Sequence, residues 1–335
     1  VRNLITDVAG VRVGHAHDAT IASGVTVAVF DGQATVSASV QGGAPGSRDI
    51  ALLEPEMVRQ TIDAVVLSGG SLFGLDAAGG VINVLSQWRL GFEIAGVRVP
   101  IASQAILFDL INGGDKPWLS DPAMSRPPYW ELGREATRAA GETFALGTVG
   151  AGYGATTVNL KGGIGSSSTT TSSGHVVAAL VAVNAVGSAV IGDGPHFWAG
   201  AYEREAEFGG LGWPGKLSGD ALVPRFKGGG QPSTTIGLVA TDATLTKSEC
   251  KRLAIMAHDG LARALRPTHA PMDGDTLFAA ATGRNDSPVD PVLLTALGLA
   301  AADCVSRAIA RGVYAATPLP FAGALPAWQD RFGRR

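Results

Sequence analysis

The stretch Gly228-Gly229-Gly230-Gln231-Pro232-Ser233-Thr234-Thr235-Ile236 sets a small residue and a hydroxyl residue at the start of an apolar strand, directly behind a flexible glycine run. Self-cleaving N-terminal nucleophile chemistry needs such a segment. The hydroxyl has to attack the carbonyl of the residue before it, so the loop must bend that peptide bond toward it, and glycine supplies the freedom. The ester formed in this way then hydrolyses. The freed N-terminal residue carries both a nucleophilic hydroxyl and its own general base, an α-amine with an unperturbed pKa of about 7.7 to 8.0. By itself the run also reads as an ordinary loop entering a strand, the commoner meaning of such a pattern.

Other motifs nearly fit and fail on spacing. Gly69-Gly70-Ser71-Leu72-Phe73-Gly74 follows a strand and opens a helix, but it lacks the middle glycine of G-x-G-x-x-G and the final glycine of G-x-S-x-G. Neither a dinucleotide site nor a nucleophile elbow follows. Ser71 reads as a helix cap, with Gly69 and Gly70 making the turn or lending backbone N–H groups to a site. Asp273-Gly274-Asp275 has the start of a calcium loop without its third acid or its bidentate glutamate. His15 and His17 have no further ligand at metal spacing and read as a surface turn. No metal or cofactor is expected.

The elements that would position these residues follow from periodicity. Val11–Val13, Val25–Phe30 and Thr35–Val40 are β-branched and partly alternating, and predict an early meander. Ala64–Leu67 is a short strand leading through the Gly69-Gly70 turn into a helix that ends near Trp88. Four prolines (Pro117, Pro122, Pro127, Pro128) make residues 113 to 130 a surface excursion, and a helix over about 131 to 140 follows. Residues 147 to 174 are rich in Gly, Ser and Thr with Lys161 their only charge, which suits either a linker or a backbone-rich site wall. Strands are expected over 176 to 183, 188 to 191, 234 to 241 and 276 to 280. Thr246-Lys247-Ser248-Glu249 is a capping box for a helix to about Arg266, and Asp290-Pro291 caps another to about Arg311. Strands in groups mixed with long helices predict a layered α/β fold, helices covering packed sheets.

Composition narrows the function. The chain has 335 residues, 46% hydrophobic and 16% charged, with 46 glycines. It is long enough for two domains at about 150 residues each, or for one large α/β unit. A net charge of -3 without long runs of one sign gives no footprint for nucleic acid or an anionic membrane. A small-molecule partner is the expectation. Cys250 and Cys304 lie in helical segments and read as buried thiols. The chain opens without a secretory signal pattern, and its longest apolar run, 176 to 191, is shorter than the ~20 residues that span a bilayer. A cytoplasmic protein is expected.

Across nearly its whole length the sequence resembles the P1 family of peptidases, which includes L-aminopeptidase/D-amidases, β-aminopeptidases and nylon-oligomer (6-aminohexanoate oligomer) hydrolases. The resemblance rests on residues 5 to 15 (ITDVAGVRVGH), 42 to 48 (GGAPGSR), 67 to 75 (LSGGSLFGL) and 272 to 278 (MDGDTLF), in the family's order. It implies an αββα sandwich and cleavage at Ser233-Thr234 into an α chain of residues 1–233 and a β chain of residues 234–335. Thr234 is then the nucleophile, with Thr235 next in line if the alignment slips by one. Lys161 matches a lysine near the nucleophile, Asn184 an oxyanion-hole asparagine, and Asp273 and Asp275 an acidic or hydroxyl pair that orients the threonine. Gly69, Gly70, Ser71 and Phe73 fall in the family's substrate-side motif. Ser233 departs from the commoner asparagine before the cut, and Phe73 stands where several relatives place a tyrosine.

The expectation is therefore an N-terminal nucleophile amide hydrolase, without cofactor, acting on small amides or short peptides with a free N-terminal amine. A homo-oligomer, with a tetramer as its plausible form, is expected from the same resemblance. Two rivals are an acyltransferase like ornithine acetyltransferase, which exchanges acetyl groups between amino acids, and an unprocessed binding protein with an inert Ser233-Thr234 bond.

Overall fold

In the computed structural model, which describes all residues except 122, 124, 125, 230, 334 and 335, the chain builds four layers in the order helix, sheet, sheet, helix. Pro122 of the proline-rich stretch and Gly230 of the glycine run thus lie outside the described residues. The first part supplies β1 (Val11–Asp18), β2 (Ser23–Val40), β3 (Ser47–Arg48), β4 (Thr61–Ser68), α1 (Ala77–Gln87), β5 (Phe92–Ile94), β6 (Val97–Val99), β7 (Ala102–Ile106) and α2 (Tyr129–Arg138). The second supplies β8 (Gly163–Thr170), β9 (Val176–Asn184), β10 (Thr234–Ala243), α3 (Lys247–Ala257), α4 (Asp259–Ala264), β11 (Thr276–Asn285), α5 (Pro291–Tyr314) and α6 (Trp328–Phe332).

One hydrogen-bonded ladder runs β3-β7-β4-β2-β11-β10-β9-β8, with β1 paired to β2. It folds over on itself because β2 serves both layers: residues 25–29, 34 and 35 pair with β4 and residues 35–40 with β11. The register breaks between Val29 and Ala34, where Gly32 and Gln33 take φ of +86° and +70°. A bulge of this kind bends and twists a strand without ending it. The expected meander is corrected accordingly: 25–30 and 35–40 are one continuous strand, and Asp31-Gly32 is a bend inside it.

Strand alternation then fills three cores. Phe30, Val65 and Leu67 of the first layer meet Leu180, Leu238 and Phe278 of the second between the sheets. Their neighbours in sequence point outward: Val29 and Val66 pack under α1 and α2, while Val181, Val239 and Leu277 pack under α3, α4 and α5. Burying both faces of a strand requires the near-continuous apolar runs that the sequence holds there. Two parallel pairs, β4 with β7 and β10 with β11, are joined through α1 and through α3 and α4, since parallel strands need a crossover. The Gly/Ser/Thr-rich stretch becomes in part β8, whose small residues let the α5 backbone lie against it.

Both caps form. Thr246 accepts from the Glu249 N–H at 3.3 Å while Glu249 accepts from the Thr246 N–H at 2.7 Å, and Asp290 accepts from the Leu293 N–H at 2.7 Å. The helix expected to reach Arg266 is divided at His258 into α3 and α4, and that from Pro291 extends to Tyr314. Residues 188–191 are not a strand; Ser188 and Val190 make isolated bridges, and the Ser188 hydroxyl bonds both the N–H and the carbonyl of Val190, a local competitor of ladder pairing. Ser71 is not a cap either. Gly70, at φ +85°, occupies the N-cap position, and Ser71 begins a 3-10 helix with no side-chain capping bond.

Candidate active site

Thr234 is the first residue of β10, held between β9 and β11, and it stands opposite Asn184, the last residue of β9. Ser233, just before the strand, bridges Asp273. The strand edge therefore anchors the Ser233-Thr234 bond on one side while the glycine loop supplies the other. The Thr234 hydroxyl donates to the Ser233 carbonyl oxygen in a short contact. That same oxygen accepts the Gly274 N–H at 3.0 Å. Gly274 has to be glycine for this approach: a Cβ there would lie 2.8 Å from Thr234 Oγ1 and 2.9 Å from the Ala44 carbonyl.

The two aspartates of the Asp273-Gly274-Asp275 turn have different surroundings. Asp275 accepts the Thr235 N–H on Oδ1 at 2.8 Å. Its Oδ2 accepts Thr268 Oγ1 at 2.9 Å, the His269 N–H at 3.0 Å and His269 Nδ1 at 2.8 Å. Burial pushes its pKa up, but the hydrogen bonds from His269 and Thr235 more than offset this and hold it below the usual carboxylate value. The Asp273 carboxylate accepts only the Ala270 N–H, at 3.2 Å, among the described residues, and its Oδ1 is buried there without a partner. Burial and the adjacent Asp275 charge raise it to about 7. One carboxylate is thus fixed as an anion, and the other is poised to take or give a proton near neutrality.

Asn184 is fully buried and held on every side. Its Oδ1 accepts Lys227 Nζ at 2.7 Å, the Thr156 N–H at 3.1 Å and Asn112 Nδ2 at 3.1 Å, and its Nδ2 donates to the Phe108 carbonyl at 2.8 Å. Lys161 stands behind the same loop. Its ammonium donates to the carbonyls of Gly152, Ala155 and Gly162 at 2.9 to 3.0 Å and makes no hydrogen bond to Thr234 or Asn184 among the described residues. Burial drives its pKa down to about 7 against the pull of Asp109, and Lys227 adds to the fall.

Ser233, Thr234, Asn184, Asp273 and Asp275 are therefore brought together, with Lys161 one loop away. Gly69, Gly70, Ser71 and Phe73 make no hydrogen bond to these residues among the described residues, but Gly69 and Gly70 border Asp109, whose charge acts on Lys161 and Lys227. Gly69 and Gly70 are buried against Asp109, which accepts the Gly70 N–H at 2.7 Å and the Ser23 hydroxyl at 2.6 Å, and Phe73 is exposed. A cleft of about 360 Å³ next to Asn184 is lined by Ile111, Asn112, Thr156, Lys227, Gln231 and Phe321 with their neighbours, and by none of those four residues.

The sequence reading missed Lys227, His269 and Asp109. Lys227 precedes the glycine run and is buried, its pKa lowered to about 7 by burial while Asp109 and Asp273 pull the other way. Asp109 interrupts the apolar run 105–111, and its burial raises its pKa. A charged residue inside an apolar run was the available signal for Asp109. His269 had only its nearness in sequence to Asp275.

The signature of peptidase family S58 matches residues 3–324. An uncharacterized aminopeptidase of Mycobacterium tuberculosis is 40% identical over 352 aligned positions, covering 98% of both chains. A 6-aminohexanoate-oligomer endohydrolase of Kocuria sp. is 29% identical over 90% of this chain and 84% of its own. In fold, a Burkholderia sp. β-aminopeptidase is similar with a TM-score of 0.70 at 23% identity, covering 99% of this chain and 92% of that one. The L-aminopeptidase D-Ala-esterase/amidase of Ochrobactrum anthropi, described as a variant of the Ntn hydrolase fold, is similar with a TM-score of 0.67 at 19% identity, over 99% and 95%.

Proposed function

Since this chain belongs to peptidase family S58 and has aminopeptidase and amide-hydrolase relatives, we propose that it hydrolyses peptide or amide bonds as a self-processing enzyme with Thr234 as its N-terminal nucleophile. The observation that carries this reading is the contact of the Thr234 hydroxyl with the Ser233 carbonyl, whose oxygen already accepts the Gly274 N–H. In processing, Thr234 Oγ1 attacks the Ser233 carbonyl carbon and the Gly274 N–H supports the charge that develops on its oxygen. Asp273 takes the hydroxyl proton. The C–N bond breaks as Asp273 passes that proton to the Thr234 nitrogen, leaving an ester that water hydrolyses to a Ser233 carboxylate and a free Thr234 amine. Asp275 keeps the strand start in place through the Thr235 N–H.

In turnover the free amine takes the Oγ1 proton, the hydroxyl attacks the substrate carbonyl, and the Asn184 amide holds the oxyanion. The substrate C–N bond breaks as the α-ammonium gives its proton to the leaving amine, and water then hydrolyses the acyl ester to free Thr234 Oγ1. Lys161 holds the Gly152–Gly162 loop whose Thr156 N–H meets Asn184, and while protonated it disfavours protonation of the amine. The substrates are small amides or short peptides with a free N-terminal amine, and no cofactor takes part.

A panel of α-, β- and ω-amino acyl p-nitroanilides, assayed with the Thr234→Ala variant as blank, tests this reading. Small apolar members with a free amine are cleaved, and acetylating the amine slows them strongly. No hydrolysis of any member, together with acetyl transfer between amino acids, would replace hydrolysis by acyl transfer.

A further inference from the structure

Lys227 is buried, with 6% of its surface exposed, although it lies in the loop leading to the scissile bond. Its named acceptors among the described residues are both neutral amide oxygens, Asn184 Oδ1 at 2.7 Å and the Thr156 carbonyl at 3.3 Å. Desolvating an ammonium for such partners is costly, and the fold does not let it swing away. The Lys227 N–H is tied to the Val186 carbonyl at 2.9 Å, just past Asn184, and its carbonyl accepts the Gln231 N–H at 3.1 Å. The lysine is built into the end of β9 by its own backbone.

We propose that Lys227 is a positioning residue for amide hydrolysis, fixing and polarising the Asn184 side chain so that its free N–H serves the oxyanion. The proposal rests on the reading of Asn184 as the oxyanion donor. An asparagine amide has two faces that differ only in which atom accepts and which donates, so its partners decide the orientation. Three donors converge on Oδ1, with the lysine at the shortest distance. A flipped amide would set its NH₂ against the lysine and lose all three bonds. With Oδ1 saturated, Nδ2 gives one hydrogen to the Phe108 carbonyl and keeps the other unpaired among the described residues, on the residue that pairs opposite Thr234. Donation from the lysine to the amide oxygen also draws charge from the amide, most strongly while the lysine is protonated, and makes its N–H a better donor, as linked hydrogen bonds do.

Lys227 precedes the cut, so in the processed enzyme it belongs to the tail of the α chain while Thr234 opens the β chain. The catalytic centre then depends on a tail residue that stays anchored after the bond breaks.

A double-mutant cycle on processed enzyme, with processing verified by intact mass, tests the proposal on an amino acyl p-nitroanilide. Lys227→Met should lower kcat by on the order of 10-fold or more with KM within about 2-fold. Lys227→Arg should recover part of that loss. Asn184→Ala should lower kcat about 100-fold, and adding Lys227→Met to it should cost no more than about 2-fold further, because the lysine acts through the asparagine. If Asn184→Ala is slow but Lys227→Met is silent, additive with it, or raises KM alone, the proposal is overturned and the oxyanion reading stands. If Asn184→Ala keeps a near-normal kcat, the oxyanion reading fails and takes the proposal with it. Should Lys227→Met not fold, Lys227→Arg is compared with Lys227→Gln: a higher kcat for Arg supports the proposal, and equal values overturn it.

Discussion

Asp273 and Asp275 stand two residues apart and are held in opposite states, one raised to about 7 with an oxygen unpartnered among the described residues, the other kept ionised by four donors. Their variants should therefore fail differently. Asp275→Asn sets an amide nitrogen against donors from Thr268 or His269, or turns it to the Thr235 N–H, and should cost about 1 to 3 kcal/mol of stability as well as slowing processing. Asp273→Asn removes a proton acceptor that few groups rely on, so processing should slow while the melting temperature stays close to that of the parent. If Asp273 is the base, parent processing should rise as pH passes about 7, where the carboxyl loses its proton, and the rise should vanish in Asp273→Asn. A gel time course across pH, beside thermal melts, reads both; a pH-independent parent rate returns Asp273 to a turn-forming role. These two carboxylates, Thr234 and Asn184 could be singled out in the sequence only through the family resemblance, Thr234 being marked besides by the glycine run before it. Asp109 offered only its charge inside an apolar run, and Lys227 and His269 could not be found, since what marks them is burial and distant partners: a lysine before three glycines looks solvated until β9 closes over it.

At the level of elements, the site is a strand start pressed against a turn. β10 fixes Thr234, and the 270–275 turn, bridged to Ser233 and bonded to residues 42–44, brings the Gly274 N–H to the Ser233 carbonyl. Gly274→Ala introduces a methyl 2.8 Å from Thr234 Oγ1, which real packing does not accommodate without moving one of the two. The uncut chain should then accumulate on a denaturing gel with its secondary structure retained; processing at the parent rate would mean that the turn yields freely and does not hold the scissile bond. Local chemistry had already announced β10, the capping box at Thr246 and the Asp290 cap, because those signals are contained within a few residues. The single strand β2 was hidden for the opposite reason. Asp31-Gly32 has the composition of a hairpin turn, and only pairing with β4 and β11, far away in sequence, makes it a bend between two sheets.

Across the whole molecule, residues 234–335 supply β10, β11 and the helices α3 to α6, the middle of the second sheet and its cover, while residues 1–233 supply the rest of both sheets. β10 pairs with β9 from Thr234↔Asn184 to Thr241↔Val177, β11 pairs with β2, and α5 shares one apolar core with β9. A cut at Ser233-Thr234 removes none of these contacts. The two polypeptides should therefore co-elute in native size-exclusion chromatography and part only in denaturant; their separation in native buffer would contradict this division of the sandwich. The layered α/β arrangement was legible from grouped strands and long helices, but the way one ladder doubles back was not, because it depends on a single bulge. The central claim is that Thr234 cuts its own chain and then serves as nucleophile, and intact mass spectrometry of the purified protein beside Thr234→Ala tests it most directly. The account predicts two polypeptides from the parent, corresponding to residues 1–233 and 234–335, and one uncut, hydrolytically inactive chain from the variant. A cut at any other bond, an active parent that remains whole, or a Thr234→Ala chain that still cleaves itself would contradict it.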